Sequence, residues 1–176
     1  MKALLLTLIL AACQLHAQTD PMEGLWQGYE GEWVHASRQI VALAEAIPEE
    51  LYAWRPAPGV RSTSEVIMHI AQGNYFLLST TGLKRPADLP AGNLEKAVTA
   101  KADVIARLKQ SLDAVKSAYA DIKPAGLKRE AELEKRKTTV GGIYLRILVH
   151  ANEHMGQLVA YARFNHIVPP WSEPAK

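Results

Sequence analysis

Three histidines carry the chemistry that the residue types of this chain make available. His150 and His154 lie four apart in the run His150-Ala151-Asn152-Glu153-His154-Met155-Gly156-Gln157. On a helix that spacing puts both imidazoles on one face, about one turn apart, where both can reach a single ion. His69 lies far upstream, in a segment that also reads as helix. Three neutral imidazoles gathered on apolar-lined faces without an ion would leave lone pairs and protons to satisfy. His69, His150 and His154 therefore point to one bound divalent metal, one ligand coming from one helix and two from another. Gln157 and Tyr161 continue the face that carries the pair. They are candidates to bind substrate or a metal-bound water, or to line a wet cavity. Glu65 precedes His69 by one turn and is a candidate to orient its ring.

Other metal chemistries fit less well. His150-x-x-Glu153-His154 has the form of inverted zinc peptidases, in which the glutamate is the general base. Such an enzyme needs a further ligand well downstream, and the short proline-rich tail after His154 offers only Glu173 as an acid. On a helix Glu153 also projects about 100° away from His154. The paired Glu-x-x-His pattern of di-iron bundles is absent, as is the Cys-x-x-Cys-His of covalent haem. His35 falls beside an apolar seam and His166 beyond the last helix, and both read as solvated.

The elements that must position the histidines are four helical segments, with no convincing alternation at period two. The first runs from about Leu25 to Ile47, with Trp26, Tyr29, Trp33, Ala36, Ile40, Leu43 and Ile47 at alternating three- and four-residue steps. Pro48 and Arg55-Pro56-Ala57-Pro58-Gly59 interrupt the chain. The second opens on Ser62-Thr63-Ser64-Glu65, a capping box, and runs through His69 to about Thr80. The third follows the seam Leu94, Val98, Ile105, Leu108, Leu112, Val115, Tyr119 and Ile122, with Lys101 its one charged member. Residues 123–137 are charged and irregular and read as a solvated loop. The fourth extends from about Thr139 to Asn165 with Ile143, Ile147, His150, His154, Gln157 and Tyr161 on one face. The closing Ile167-Val168-Pro169-Pro170-Trp171 cannot be helical at its prolines and is expected to fold over a bundle end with Trp171 as an apolar plug. The fold class expected is all-α, a four-helix bundle.

Residues 1–17 read as a cleaved signal peptide: a basic start at Lys2, an apolar run from Ala3 to Ala12, and Leu15-His16-Ala17 before Gln18. Residues 18–176 then form the mature domain, periplasmic or secreted. Leu10-Ala11-Ala12-Cys13 also matches the sequence preceding a lipid-modified cysteine, so the alternative is a lipoprotein held at a membrane through Cys13. Cys13 is the one cysteine of the chain, so cleavage after Ala17 excludes disulfides, thiolate ligands and a cysteine nucleophile together. Removing Lys2 leaves 19 basic against 18 acidic side chains, and no excess of positive charge is available for a nucleic-acid backbone. The partner expected is a small molecule, with a homodimer left open.

Two stretches resemble DinB-like proteins. One is Ile47-Pro48-Glu49-Glu50, Trp54-Arg55-Pro56 and Pro58-Gly59-Val60-Arg61-Ser62, leading to Glu65 and His69. The other runs from His150 to Gln157, then Tyr161-Ala162-Arg163 and Val168-Pro169-Pro170-Trp171. The resemblance covers most of the mature chain. It implies an up-down-down-up bundle with His69, His150 and His154 as ligands to nickel or zinc, ahead of iron or manganese. It also implies a metal-dependent hydrolase of unassigned substrate. The alternatives are a non-catalytic metal or small-ligand binding protein and a thiol-dependent S-transferase. Export argues against the last, because small thiols outside the cytosol are oxidised.

Overall fold

The computed structural model describes residues 21–90 and 92–172. The expected signal peptide, Cys13 and the start at Gln18 lie outside the described residues. Four long helices form the core: α1 (Leu25–Ala46), α2 (Thr63–Ser79), α4 (Lys101–Ala120) and α6 (Val140–Phe164). Two one-turn helices, α3 (Leu94–Ala97) and α5 (Pro124–Leu127), and a hairpin of β1 (Glu130–Leu133) and β2 (Arg136–Thr139) lie between them.

Each long helix buries the stripe that its spacing demands. Tyr29, Trp33, Ala36, Ile40 and Leu43 of α1 are buried, as are Leu108, Leu112, Val115 and Tyr119 of α4, and Ile143, Ile147, Leu158 and Tyr161 of α6. Both α1 and α2 pack on α4 and on α6. Cross-links fix the directions. Trp33 Nε1 donates to the Leu112 carbonyl at 3.2 Å and the Tyr119 hydroxyl to the Trp26 carbonyl at 2.8 Å, so α1 and α4 are antiparallel. Asn74 Nδ2 donates to Ser111 Oγ at 3.2 Å while Arg61 reaches Glu95, so α2 and α4 run parallel. The Tyr161 hydroxyl donates to the Arg61 carbonyl at 2.9 Å, so α6 runs against α2. The result is the up-down-down-up bundle, and the parallel pair explains the long return from Thr80 to Asn93.

Three expectations are corrected. The third helix is not continuous from Leu94: Val98 is extended (φ −124°, ψ 106°) although still buried, and α4 begins afresh at Lys101. Val98-Thr99 is a β-branched pair and a weak helix former. Lys101 is then placed to donate to the Glu45 and Ile47 carbonyls, at 2.9 and 2.7 Å, at the open end of α1. The charged segment 123–137 is not a loop throughout. It holds α5 and most of the hairpin, whose turn residues Glu134 and Lys135 both take positive φ (50° and 64°) without a glycine. Leu133 of β1 is buried, which gives the hairpin an inward face. Finally, Pro169 rather than Trp171 is the buried member of the tail; Trp171 remains 39% exposed.

Candidate metal centre

The N-terminus of α2 is built as a platform for His69. Ser62 and Glu65 form the capping box: Ser62 N donates to Glu65 Oε2 at 2.8 Å, and Glu65 N to Ser62 Oγ at 3.4 Å. Glu65 also takes Arg55 at 3.1 Å and Lys96 at 2.5 Å. These partners hold its carboxyl at about 2, the Lys96 hydrogen bond first and the Ser62 backbone bond next. The Arg55 guanidinium donates in turn to the Val60 carbonyl at 2.6 Å, tying the Pro-Gly segment to the helix it precedes.

About one turn beyond Glu65, His69 meets His150 and His154 of α6. The three rings offer nitrogens that all lie within 4.8 Å of one another, so the cluster can hold a metal ion. Ring centroids are 5.0 Å apart for His69 and His150, 4.6 Å for His69 and His154, and 4.7 Å for His150 and His154. Two rings are oriented through Nδ1. His69 Nδ1 donates to Glu95 Oε1 at 2.8 Å, and His154 Nδ1 to Gln157 Oε1 at 2.9 Å. In both rings Nε2 is thereby left with its lone pair for a ligand, the arrangement that carboxylate and amide partners give metal-binding histidines. His150 is buried, and its Nδ1 has no hydrogen-bond partner among the described residues. Its ring is seated instead against Gly73 of α2, where a Cβ would overlap Cε1 and stand 2.8 Å from Nδ1.

Burial lowers the His150 imidazole to about 4, helped by His154, His69 and Arg146 nearby. Burial also lowers His69, against the pull of its Glu95 hydrogen bond and with Arg61 and His154 acting in the same direction as burial. Both shifts favour the neutral ring, the form that ligation requires. The donor set, the orphaned buried nitrogen and the neutral rings fit a divalent ion that accepts imidazole, of the kind that includes zinc and nickel.

Both hydrogen-bond chains end on Arg61. Its Nε donates to Glu95 Oε2 at 2.9 Å, behind His69. Its carbonyl accepts from the Tyr161 hydroxyl, which itself accepts from Gln157 Nε2 at 2.8 Å, behind His154. Gln157 and Tyr161 thus form the hydrogen-bonded support behind His154. Glu65 does not orient His69; its carboxylate turns back onto its own helix N-terminus and toward Lys96, and Glu95 occupies the position beside the ring. Glu153 is paired with Arg146 through both oxygens, at 3.1 and 3.0 Å. His35 and His166 are exposed, as their spacing suggests. Glu95, Arg61 and Gly73 were not singled out from the sequence. The one available signal was Gly73, a glycine inside a helix one turn after His69.

A bundle of four helices with three convergent histidines on two of them defines a helical metal-site scaffold. The chain belongs to the DinB superfamily, whose family model matches residues 32–158. It is similar in fold to a DinB-like protein from Bacillus cereus ATCC 10987, with a TM-score of 0.71 and 19% identity over 82% of this chain and 95% of that one. It is likewise similar to a DinB-like protein from Bacillus subtilis, with a TM-score of 0.64 and 18% identity over 84% of this chain and 99% of that one. No curated protein matches the chain significantly.

Proposed function

We propose that this chain is an exported metalloprotein in which His69, His150 and His154 hold one divalent transition metal, nickel or zinc ahead of iron or manganese, and that it hydrolyses a small molecule. The observation that carries the reading is the pairing of His69 and His154 through Nδ1 to Glu95 and Gln157, which leaves both Nε2 lone pairs free in a cluster with His150 whose ligand atoms lie within 4.8 Å of one another. Among the described residues no carboxylate or fourth imidazole joins the cluster. A three-histidine set that opens on a cleft leaves room for water or substrate, as catalytic sites do and closed structural sites do not. A metal held there would supply Lewis-acid polarisation of a carbonyl or a water of lowered pKa. The protein's own part is to fix the rings. Glu95 and Gln157 keep the protons of His69 and His154 at Nδ1, Gly73 admits the His150 ring, and Arg61 joins the two supports. Export rests on the basic start, apolar run and Ala17-Gln18 junction of the sequence.

The test is elemental analysis of protein purified from its native compartment, followed by ester, lactone and amide substrates run beside thiol-transfer assays on metal-reconstituted protein. Bound metal with hydrolysis of one substrate class is expected. Thiol-dependent turnover without hydrolysis would refute the hydrolase reading. Retained metal with silence across the panel would leave a metal or small-ligand binding protein.

A further inference from the structure

The histidines form the floor of a cleft of about 790 Å³, within the usual range for a site that takes a whole small molecule. Its walls differ in character. On one side α2 presents Phe76, a large aromatic left 46% exposed, beside Leu77, and the hairpin adds Leu133. Three arginines also line the cleft, but two are already engaged: Arg61 by Glu95, and Arg146 by both oxygens of Glu153. Arg136 has no carboxylate at ion-pair distance among the described residues. It faces Leu133 across the last pair of the hairpin, so one short turn delivers both a cation and an apolar side chain to the same wall.

The hairpin is anchored well enough to present them. Arg129, just before β1, donates to the Thr81 carbonyl beyond α2 at 2.6 Å. Thr139, the last residue of β2, caps α6 by accepting from Gly142 N at 3.1 Å. We propose that the cleft takes an amphipathic monoanion, with a carboxylate-like head on Arg136 and a short apolar body along Phe76, Leu77 and Leu133. The proposal deepens the metal-site reading above and rests on it. A single charge is specified for the Arg136 end because Glu134 also lines the cleft, and Glu95 and Glu153 hold the other two arginines. A second negative charge beside Arg136 would meet Glu134 with no further unpaired arginine in the cleft among the described residues, and the charge of the metal is left for the reacting group.

Calorimetry on the zinc-loaded full chain with hexanoate, hexanamide and acetate tests this. Hexanoate should bind at least about tenfold more tightly than hexanamide, which lacks the charge, and than acetate, which lacks the apolar body. Arg136→Gln should bring hexanoate to within about twofold of hexanamide, with circular dichroism and zinc stoichiometry unchanged. Equal binding of hexanamide, equal binding of acetate, no binding of hexanoate, or an unaltered affinity in Arg136→Gln would each overturn the proposal. Because calorimetry reads binding and not turnover, hydrolysis without these preferences would remove only this inference. The preferences without hydrolysis would remove only the hydrolase reading.

Discussion

Gly73 shows how much a single absent side chain can decide. A glycine inside a helix costs about 1 kcal/mol relative to alanine, so α2 gives up stability at that position. The space gained is occupied by the His150 ring. Gly73→Ala should therefore strengthen the helix locally while forcing His150 out of register with His69 and His154. The expected outcome is a folded protein whose metal affinity falls by about tenfold or more, the scale of disrupting a ligand's support. A competition titration against a chromophoric chelator, with circular dichroism as the folding control, measures it; unchanged affinity would mean that His150 does not depend on this seat. The three histidines themselves were legible because a four-residue spacing on a helix is a local signal. Glu95 and Arg61 were not, because each acts across a gap in sequence, 26 residues from Glu95 to His69 and 100 from Arg61 to Tyr161. No periodicity encodes such a contact, and Glu65, one turn from His69, was the natural but wrong candidate.

At the scale of elements, the boundaries of α1, α2 and α6 follow from Pro48, the Ser62–Glu65 box, and the caps at Thr139 and Asn165. The break before α4 was hidden because Val98 stays buried, so the apolar seam runs on through a turn that is not helical. That break matters to the site: it leaves α3 as a separate turn, capped by Asn93, whose Glu95 and Lys96 reach His69 and Glu65. The hairpin was hidden for another reason. Its strands are four residues each, with one buried side chain, and its turn lacks the usual glycine. The capping box gives this region an acid-sensitive joint. Glu65 titrates at about 2 in the folded protein, below the ordinary value of 4.5. A depressed carboxyl contributes stability that is fully present above its unfolded value and is lost as pH falls from about 4.5 toward about 2. Glu65→Gln keeps an acceptor for the Ser62 amide but removes the charge. Metal-free wild type should be more stable than the variant at about pH 6, and the gap should narrow toward about pH 3. Denaturant midpoints at the two pH values read it, and a constant gap would mean that the Lys96 and Arg55 contacts contribute nothing in solution.

For the molecule as a whole, the question is whether the metal site and the fold depend on each other. The core is one continuous cluster running from Tyr29 and Trp33 through Leu43, Ile67, Leu108 and Val115 to Ile143 and Ile147, and it closes without the histidines. At the end away from the site, Tyr29, Tyr119 and Tyr144 pack against one another, Tyr144 edge-on to the other two, with ring centroids 4.4 to 5.8 Å apart, and tie α1, α4 and α6 together. Small zinc modules that lack such a core unfold when the ion is removed. Here burial of apolar surface is the dominant favourable term, and the ion would add only the linkage contribution of a ligand that binds the native state. That contribution is about 2.7 kcal/mol at a free metal concentration one hundred times the dissociation constant. Chelation should therefore lower the thermal midpoint by several degrees while the far-ultraviolet circular dichroism at room temperature stays helical. His154→Ala should match the chelated wild type and no longer respond to added metal. Loss of helical signal on chelation would show that the bundle is held by the ion, and the three histidines would then be a structural clamp instead of an open site.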